Sequence, residues 1–196
     1  MNPTPLSTGK IVGLAIIGVL IIFVLWTMVS YNSLVNLDEN SKTALADIDV
    51  QYQRRFDLIP SLVATTQGIA DLEKGIFTDL AEARSKYAGS PSGSAQQFSA
   101  AGQFDSAISR LLVVVENYPN IRSSESFQKL HDSLEGTENR IGYSRNQYNE
   151  AVNSLNKKIR FFPSNIIANV FGFSERVRFE AVKEASAAPK VEFDFK

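Results

Sequence analysis

The sequence predicts an all-α protein with one N-terminal transmembrane helix followed by an elongated, antiparallel (up-and-down) helical bundle. A run near the N-terminus is uncharged and long enough to cross a bilayer. After it, apolar residues recur at spacings of three and four in four separate stretches, which is the helical period. A strand-like alternation occurs only at 191–195 (VEFDF). Apolar stripes must cover one another, and short connections make neighbouring helices antiparallel.

The composition excludes several classes of protein. The 196 residues are enough for one domain of ordinary size. Lys and Arg total 20 against 21 Asp and Glu, so the basic excess typical of a nucleic-acid binder is absent. The chain has no Cys and a single His, His131. Disulfides and thiolate metal sites are therefore excluded, and a di-iron bundle would need a second histidine.

The candidate membrane span runs from Ile11 to Val29 and contains one polar residue, Thr27. As a helix it is about 28 Å long, close to the thickness of the hydrocarbon core. Trp26 and Tyr31 lie near its C-terminal end, where aromatic rings favour the headgroup region. The run is longer than the apolar part of a signal peptide, and no A-x-A site follows it, so an uncleaved anchor is favoured over a cleaved signal.

The orientation of the span is left open by its flanking charges. Lys10 precedes it and Lys42 follows it, so the positive-inside rule does not decide between the two orientations. Gly9 and Gly13 form a G-x-x-x-G pattern at the edge of the span. Ordinary transmembrane glycines are favoured there over a dimer motif, and a homo-oligomer is an alternative.

The predicted layout has four parts: a short N-terminal tail (1–10), a transmembrane helix (11–30), a bundle (31–182) and a flexible C-terminal tail (183–196). The first bundle helix can continue directly from the anchor. Pro60 predicts a kink or a helix restart near Leu58 to Ser61, and the GSPSG run predicts a loop near 89–101. The longest stripe runs from Phe127 to Phe162, and Ser123 or Ser124 can cap its start.

Charged residues near the predicted core suggest a polar network across the bundle. We predict that Arg54 or Arg55 pairs with Glu135 or Glu138, because polar groups near a core need partners; the alternative is that these charges are solvated helix faces. Gly136, in the middle of the longest helix, predicts close approach by a neighbouring group. The candidate network comprises Arg54, Arg55, Asp57, Glu135, Glu138, Arg140 and Arg145.

No catalytic motif is present. The sequence lacks a phosphate-binding G-x-x-x-x-G-K-[ST], the zinc motif H-E-x-x-H, the nucleophile elbow G-x-S-x-G and a calcium-binding EF-hand loop. We therefore predict no catalytic residue, no cofactor and no metal ligand.

The segment 161–173 is unusually apolar for a connection. Ser164 or Asn165 can cap a short helix there, and Gly172 can end it. So short a helix must pack against something, which can be its own bundle, the membrane interface or a partner. The candidate interaction residues are Ile166, Ile167, Val170, Phe171 and Phe173.

Several segments, which follow one another in the same order along the chain, resemble the LemA family of bacterial membrane proteins. They lie between about Tyr31 and Ala181 and include RRFDLIPSLV (54–63), ENYP (116–119), LEGTENRI (134–141), YNEAV (148–152) and FPSN (162–165). The resemblance implies one N-terminal membrane helix and an antiparallel helical bundle in a bacterial cell (inner) membrane, and no particular reaction. The resemblance also implies that the soluble domain is cytoplasmic, although the charges that flank the span do not decide the side. It further implies a loose association of the family with membrane zinc proteases.

Three functions are therefore compared. The favoured one is a non-catalytic, membrane-anchored scaffold of the LemA type, with the lipid bilayer and other membrane proteins, among them a membrane protease, as partners. The second is a structural membrane protein that assembles with copies of itself. The third is an enzyme that uses carboxylates and Arg in a bundle groove.

Overall fold

The computed structural model describes residues 8–66 and 74–180, and all that follows concerns these two ranges. They fold into helices without a strand, which confirms the predicted fold class. The tail motif at 191–195 lies outside the described residues. The helices are α1 (Thr8–Asp57), α2 (Ile59–Thr66), α3 (Lys74–Gly89), α4 (Ala95–Glu116), α5 (Pro119–Arg122), α6 (Glu125–Arg160) and α7 (Ser164–Val170).

Helix α1 is a single helix of 50 residues whose two halves lie in different environments. Its first half carries the apolar run, whose large side chains, such as Val19 and Ile22, contact little of the protein. It is the one described helix that is long and apolar enough to cross a membrane. In its second half, Leu34, Ile48 and Tyr52 are completely buried in the bundle. The span therefore continues into the bundle without a break.

The structure has a helix restart at Pro60, one of the two predicted alternatives. Helix α1 ends at Asp57, and α2 restarts at Ile59 with Pro60 in its first turn. Proline is tolerated there because the first N–H groups of a helix have no partner within the helix.

Helices α3 and α4 form an antiparallel hairpin whose loop is shorter than the predicted 89–101. Residues 95–101 are helical because Ser94 caps α4, accepting the Gln97 N–H at 3.2 Å. Gly93 supplies the left-handed conformation that the tight turn needs, with φ at 73°. Its N–H donates to the side chain of Gln97 at 2.7 Å, which closes the turn.

Helix α6 returns antiparallel to α1 along the length of the bundle. Ser124 caps its start, accepting the Phe127 N–H at 3.3 Å. Near the C-terminal end of α1 Glu138 contacts Arg55, and near the membrane end Leu155 packs with Leu34. The main core lies among α1, α3, α4 and α6, and its fully buried members include Ile48, Leu80, Phe104, Leu111 and Ile141.

Two local predictions are wrong. An added Cβ at Gly136 would meet nothing within 4 Å, so no neighbour approaches that glycine closely. Neither Ser164 nor Asn165 caps α7, whose N-cap is Pro163. The Ser164 hydroxyl instead donates to the carbonyl of Lys158 (2.7 Å) in the last turn of α6 and to that of Phe161 (2.8 Å). Gly172, with φ at 76°, lies just beyond α7 as predicted. Residues 174–180 then run extended along α6, and we call them the strap.

We expect Gly136→Ala to raise the free energy of unfolding by about 1 kcal/mol, because alanine is the better helix former and the site has room. The matched change Gly93→Ala should lower it by at least as much, because its φ is positive and its Cβ would lie 3.0 Å from the side chain of Leu45. Thermal unfolding of the detergent-solubilised chain, followed by circular dichroism, measures both. A loss of stability in Gly136→Ala would contradict the open environment seen here.

Candidate functional site

A buried polar network joins three helices at the centre of the bundle. The carboxylate of Asp105 on α4 accepts Arg55 Nη1 of α1 at 2.8 Å. It also accepts Arg145 Nη2 of α6 at 2.5 Å and the Tyr52 hydroxyl at 3.0 Å. Arg55 makes a second ion pair with Glu138. Asp105 is therefore the point at which α1, α4 and α6 meet.

Arg145 is held by aromatic rings as well as by charge. Its guanidinium lies 4.3 Å from the centre of the Phe179 ring and 5.6 Å from that of Tyr52, within the range of cation–π attraction. It also donates a hydrogen bond to the Tyr52 hydroxyl. Because Phe179 belongs to the strap, the network reaches beyond the three helices to the C-terminal part of the described chain.

Burial governs the protonation of these groups. It raises the pKa of Asp105 above its ordinary value, and the guanidinium groups of Arg55 and Arg145 counteract that rise. Burial also raises the pKa of Tyr52, so the phenol stays protonated and its hydroxyl donates a hydrogen bond to Asp105. Tyr87 behaves alike: its pKa is raised by burial, and it donates to Asp49 at 2.6 Å.

The structure brings together some of the predicted network residues and not others. Arg55, Glu138 and Arg145 lie together. The side chains of Arg54, Glu135 and Arg140 are exposed away from them. Asp57 is also exposed and accepts a hydrogen bond from Gln53.

Sequence reasoning missed Tyr52 and Asp105. Tyr52 lies four residues from both Ile48 and Phe56 and so looks like one more apolar residue at helical spacing, and Asp105 looks like any polar neighbour of the apolar Phe104. The sequence pattern carries no local signal for either, because their partners lie on other helices.

Chemically, the Asp105 carboxylate is occupied by its neighbours, whereas Nε of Arg55 and Nε of Arg145 are buried without a hydrogen-bond partner among the described residues. The Asp105 carboxylate accepts hydrogen bonds from three donors, and Tyr52 both donates and accepts. Over the described ranges, no group of three His, Asp or Glu side chains is arranged to hold a metal ion. The arrangement joins helices, and buried charges arranged in this way specify one helix register.

Three side chains of α6 bind the backbone of the strap. Asn149 donates to the Phe179 carbonyl at 2.9 Å and accepts the Phe179 N–H at 2.8 Å. Asn156, two turns further on, forms the same pair of bonds with Arg176, at 2.9 and 3.0 Å. Tyr148 donates its hydroxyl to the Val177 carbonyl at 2.8 Å. The strap is therefore held through its main chain, as a partner peptide would be.

A side-chain ion pair also ties the strap to α1. Arg176 Nη2 lies 2.8 Å from Asp38 Oδ1. Partial burial opposes ionisation of Asp38, but hydrogen bonds from Lys42 and Arg176 outweigh it and hold the pKa of Asp38 below its ordinary value.

An open groove of about 930 Å³ lies between α3, α4 and the strap. Ala83, Phe98 and Gly102 line it together with charged residues. Two ion pairs flank it, Arg110 with Asp79 at 2.6 Å and Lys86 with Glu82 at 2.7 Å. The exposed residues Ser99, Gln103 and Ser106 follow one face of α4 along it.

The candidate interaction segment divides between two environments. Ile167 is buried against Leu34 and Leu155, and Phe173 packs against the same cluster. The other three predicted residues are exposed: Ile166, Val170 and Phe171. Helix α7 thus covers the membrane end of the bundle with one face, and its exposed face is mainly apolar but includes Asn169.

Within the described ranges, one helix long and apolar enough to cross a membrane runs unbroken into a helical bundle, and this combination defines the class, a membrane-associated helical protein. Residues 44–193 match the model of the LemA family, and the chain belongs to that family. It is similar to the magnetosome proteins MamQ 1 and MamQ 2 of Paramagnetospirillum magneticum, with 30% identity to each over 96% of this chain and 79% of the relative. The magnetosome protein MamQ of Magnetospirillum gryphiswaldense is 27% identical over the same shares.

We expect Asp105→Asn to lower the free energy of unfolding by about 3 kcal/mol, because it leaves two largely buried guanidinium groups without their carboxylate. The control Glu138→Gln should cost less than about 1 kcal/mol, because that side chain is 49% exposed. Urea unfolding in one detergent measures both. Equal losses would show that Asp105 is not the centre of the network.

Asn149→Ala should speed exchange of the Phe179 amide proton at least fivefold, because both hydrogen bonds between Asn149 and the Phe179 main chain are lost and each contributes about 1 kcal/mol. Asn153→Ala is the matched control, since Asn153 binds only the side chain of Arg178. Hydrogen exchange read by nuclear magnetic resonance distinguishes the two. Unchanged protection at Phe179 would mean that Asn149 does not hold the strap.

Proposed function

We propose that this protein is a non-catalytic, membrane-anchored scaffold that holds partner proteins close to a bilayer surface. The observation that carries the proposal is the unbroken α1 helix, which joins the apolar run to the bundle. A flexible linker would let the bundle change its position relative to the bilayer, whereas a continuous helix fixes its height above the bilayer and its direction. A bundle held in this way suits a protein that presents a binding surface to partner proteins.

The polar groups of the bundle support a structural role. The charges at its centre are bonded to one another, and Asp105 is occupied by three donors. A catalytic acid or base needs a substrate within hydrogen-bond reach, and a carboxylate already bonded to three donors of its own chain is better suited to joining helices. The MamQ relatives are described as magnetosome proteins, and their names contain no reaction.

The groove between α3, α4 and the strap supports an interaction role. It combines apolar lining residues with flanking charges of both signs, the mixture found where partner segments bind. We propose that a membrane protein occupies it, with a membrane protease as one class of partner, and that the bilayer is a bacterial inner membrane.

A photo-crosslinking amino acid at Gln103, inside the groove, tests this proposal in intact membranes. The matched control is Tyr143 on α6, which is 67% exposed and does not line the groove. We expect a discrete adduct with a second protein at Gln103 that is absent at Tyr143. The same adduct should weaken when Ser99, one turn away in the groove, is replaced by Arg.

The other results overturn the proposal. An adduct between two copies of this chain would favour the structural, self-assembling alternative. Adducts that are equal at Gln103 and Tyr143, or absent at both, would remove the groove as a docking surface.

A further inference from the structure

We propose that the exposed apolar residues around α7 form a second contact with the membrane, seated in the lipid interface beside the point where α1 leaves the bilayer. We call this set the membrane collar. The inference depends on the membrane span and not on the scaffold role. The collar consists of Phe161, Phe162, Ile166, Val170 and Phe171.

The register of α6 against α1 sets the height of the collar. Moving along α6 from Glu138 to Leu155, the partner on α1 changes from Arg55 to Leu34, toward the membrane. Ile159 packs into the cluster that holds Leu34 and also Trp26. Helix α6 ends one residue later, so Phe161 and Phe162 follow at the level of the last residues of the apolar run.

Contacts of α7 give the same height independently. The Phe171 ring lies 4.7 Å from that of Tyr31, centre to centre. Tyr31 is two residues beyond Val29, the end of the apolar run, which is about 3 Å along a helix axis. Aromatic rings at this level lie in the headgroup region, where they are favoured in membrane proteins.

The exposure of the collar indicates what covers it. Phe162 is 81% exposed and Val170 72%, although Ile167 and Ala168 on the opposite side of α7 are buried. A seven-residue helix is not stable alone, so α7 depends on packing its inner face against the bundle. That packing fixes the direction of the outer face, which carries the exposed collar residues. That face continues directly from the apolar surface of the span. Lipid is therefore the neighbour that meets it, and no further protein is required.

Charges near the collar suit a headgroup layer. Lys157 is exposed in the last turn of α6, and Lys158 is half-buried beside it. Arg160 is engaged by Glu175, with two N–O distances of 2.7 Å. The two lysines remain beside the collar, where anionic headgroups attract cations.

The absence of cysteine in the sequence allows a direct test. Phe162→Cys and Val170→Cys are each labelled with a polarity-sensitive fluorophore in the full chain. The control is Val50→Cys, which is 49% exposed on the same helix as the span but about 30 Å beyond its end. Each chain is reconstituted into phosphatidylcholine–phosphatidylglycerol vesicles with and without brominated acyl chains, and circular dichroism checks that it remains helical.

Labels at Phe162 and Val170 should emit at shorter wavelength than the Val50 label and lose most of their emission to brominated lipid. The Val50 label should instead be quenched by iodide in the water. Iodide quenching of all three labels would overturn the proposal. A shift to shorter wavelength that brominated lipid does not quench, and that disappears on dilution with lipid, would assign the collar to a second copy of the chain and overturn it too.

Discussion

The antiparallel pairing of α1 with α6 is the constraint from which the other features follow. Leu155 packs with Leu34 near the membrane, and Glu138 meets Arg55 near the C-terminal end of α1. A shift of one helical turn between α1 and α6 would break both contacts at once, because each contact joins one fixed position on α1 to one on α6. With the register set, α7 lies beside the end of the span and the strap lies along α6. The positions of the groove and of the collar follow from that pairing.

The buried network at Asp105 adds specificity to this pairing. Apolar stripes tolerate sliding, because one aliphatic side chain can replace another at little cost. A carboxylate that must meet two guanidinium groups from different helices has one acceptable position, and any other leaves charges buried without partners. Its stabilising effect is therefore exerted mainly against wrong arrangements of the bundle.

The sequence predicts the helices better than it predicts the site, and the reason is physical. Helical period, Pro60 and Ser124 act over a few residues, so they can be read locally. Asp105 acts through partners that lie 40 and 50 positions away in the chain, and nothing beside it signals them. Arg55 and Glu138 could be paired in advance because both are charges near the stripes of facing helices, whereas Arg140 meets the same description and is exposed.

Since the span and the bundle share one stiff rod, α1 acts as a lever. From Val29 to Asp57 the helix extends for about 42 Å. If the span tilts by roughly 10° to match a thinner bilayer, the far end of the rod is displaced by about 7 Å. The thickness of the surrounding lipid thereby becomes a mechanical input, which α1 transmits to the bundle it carries.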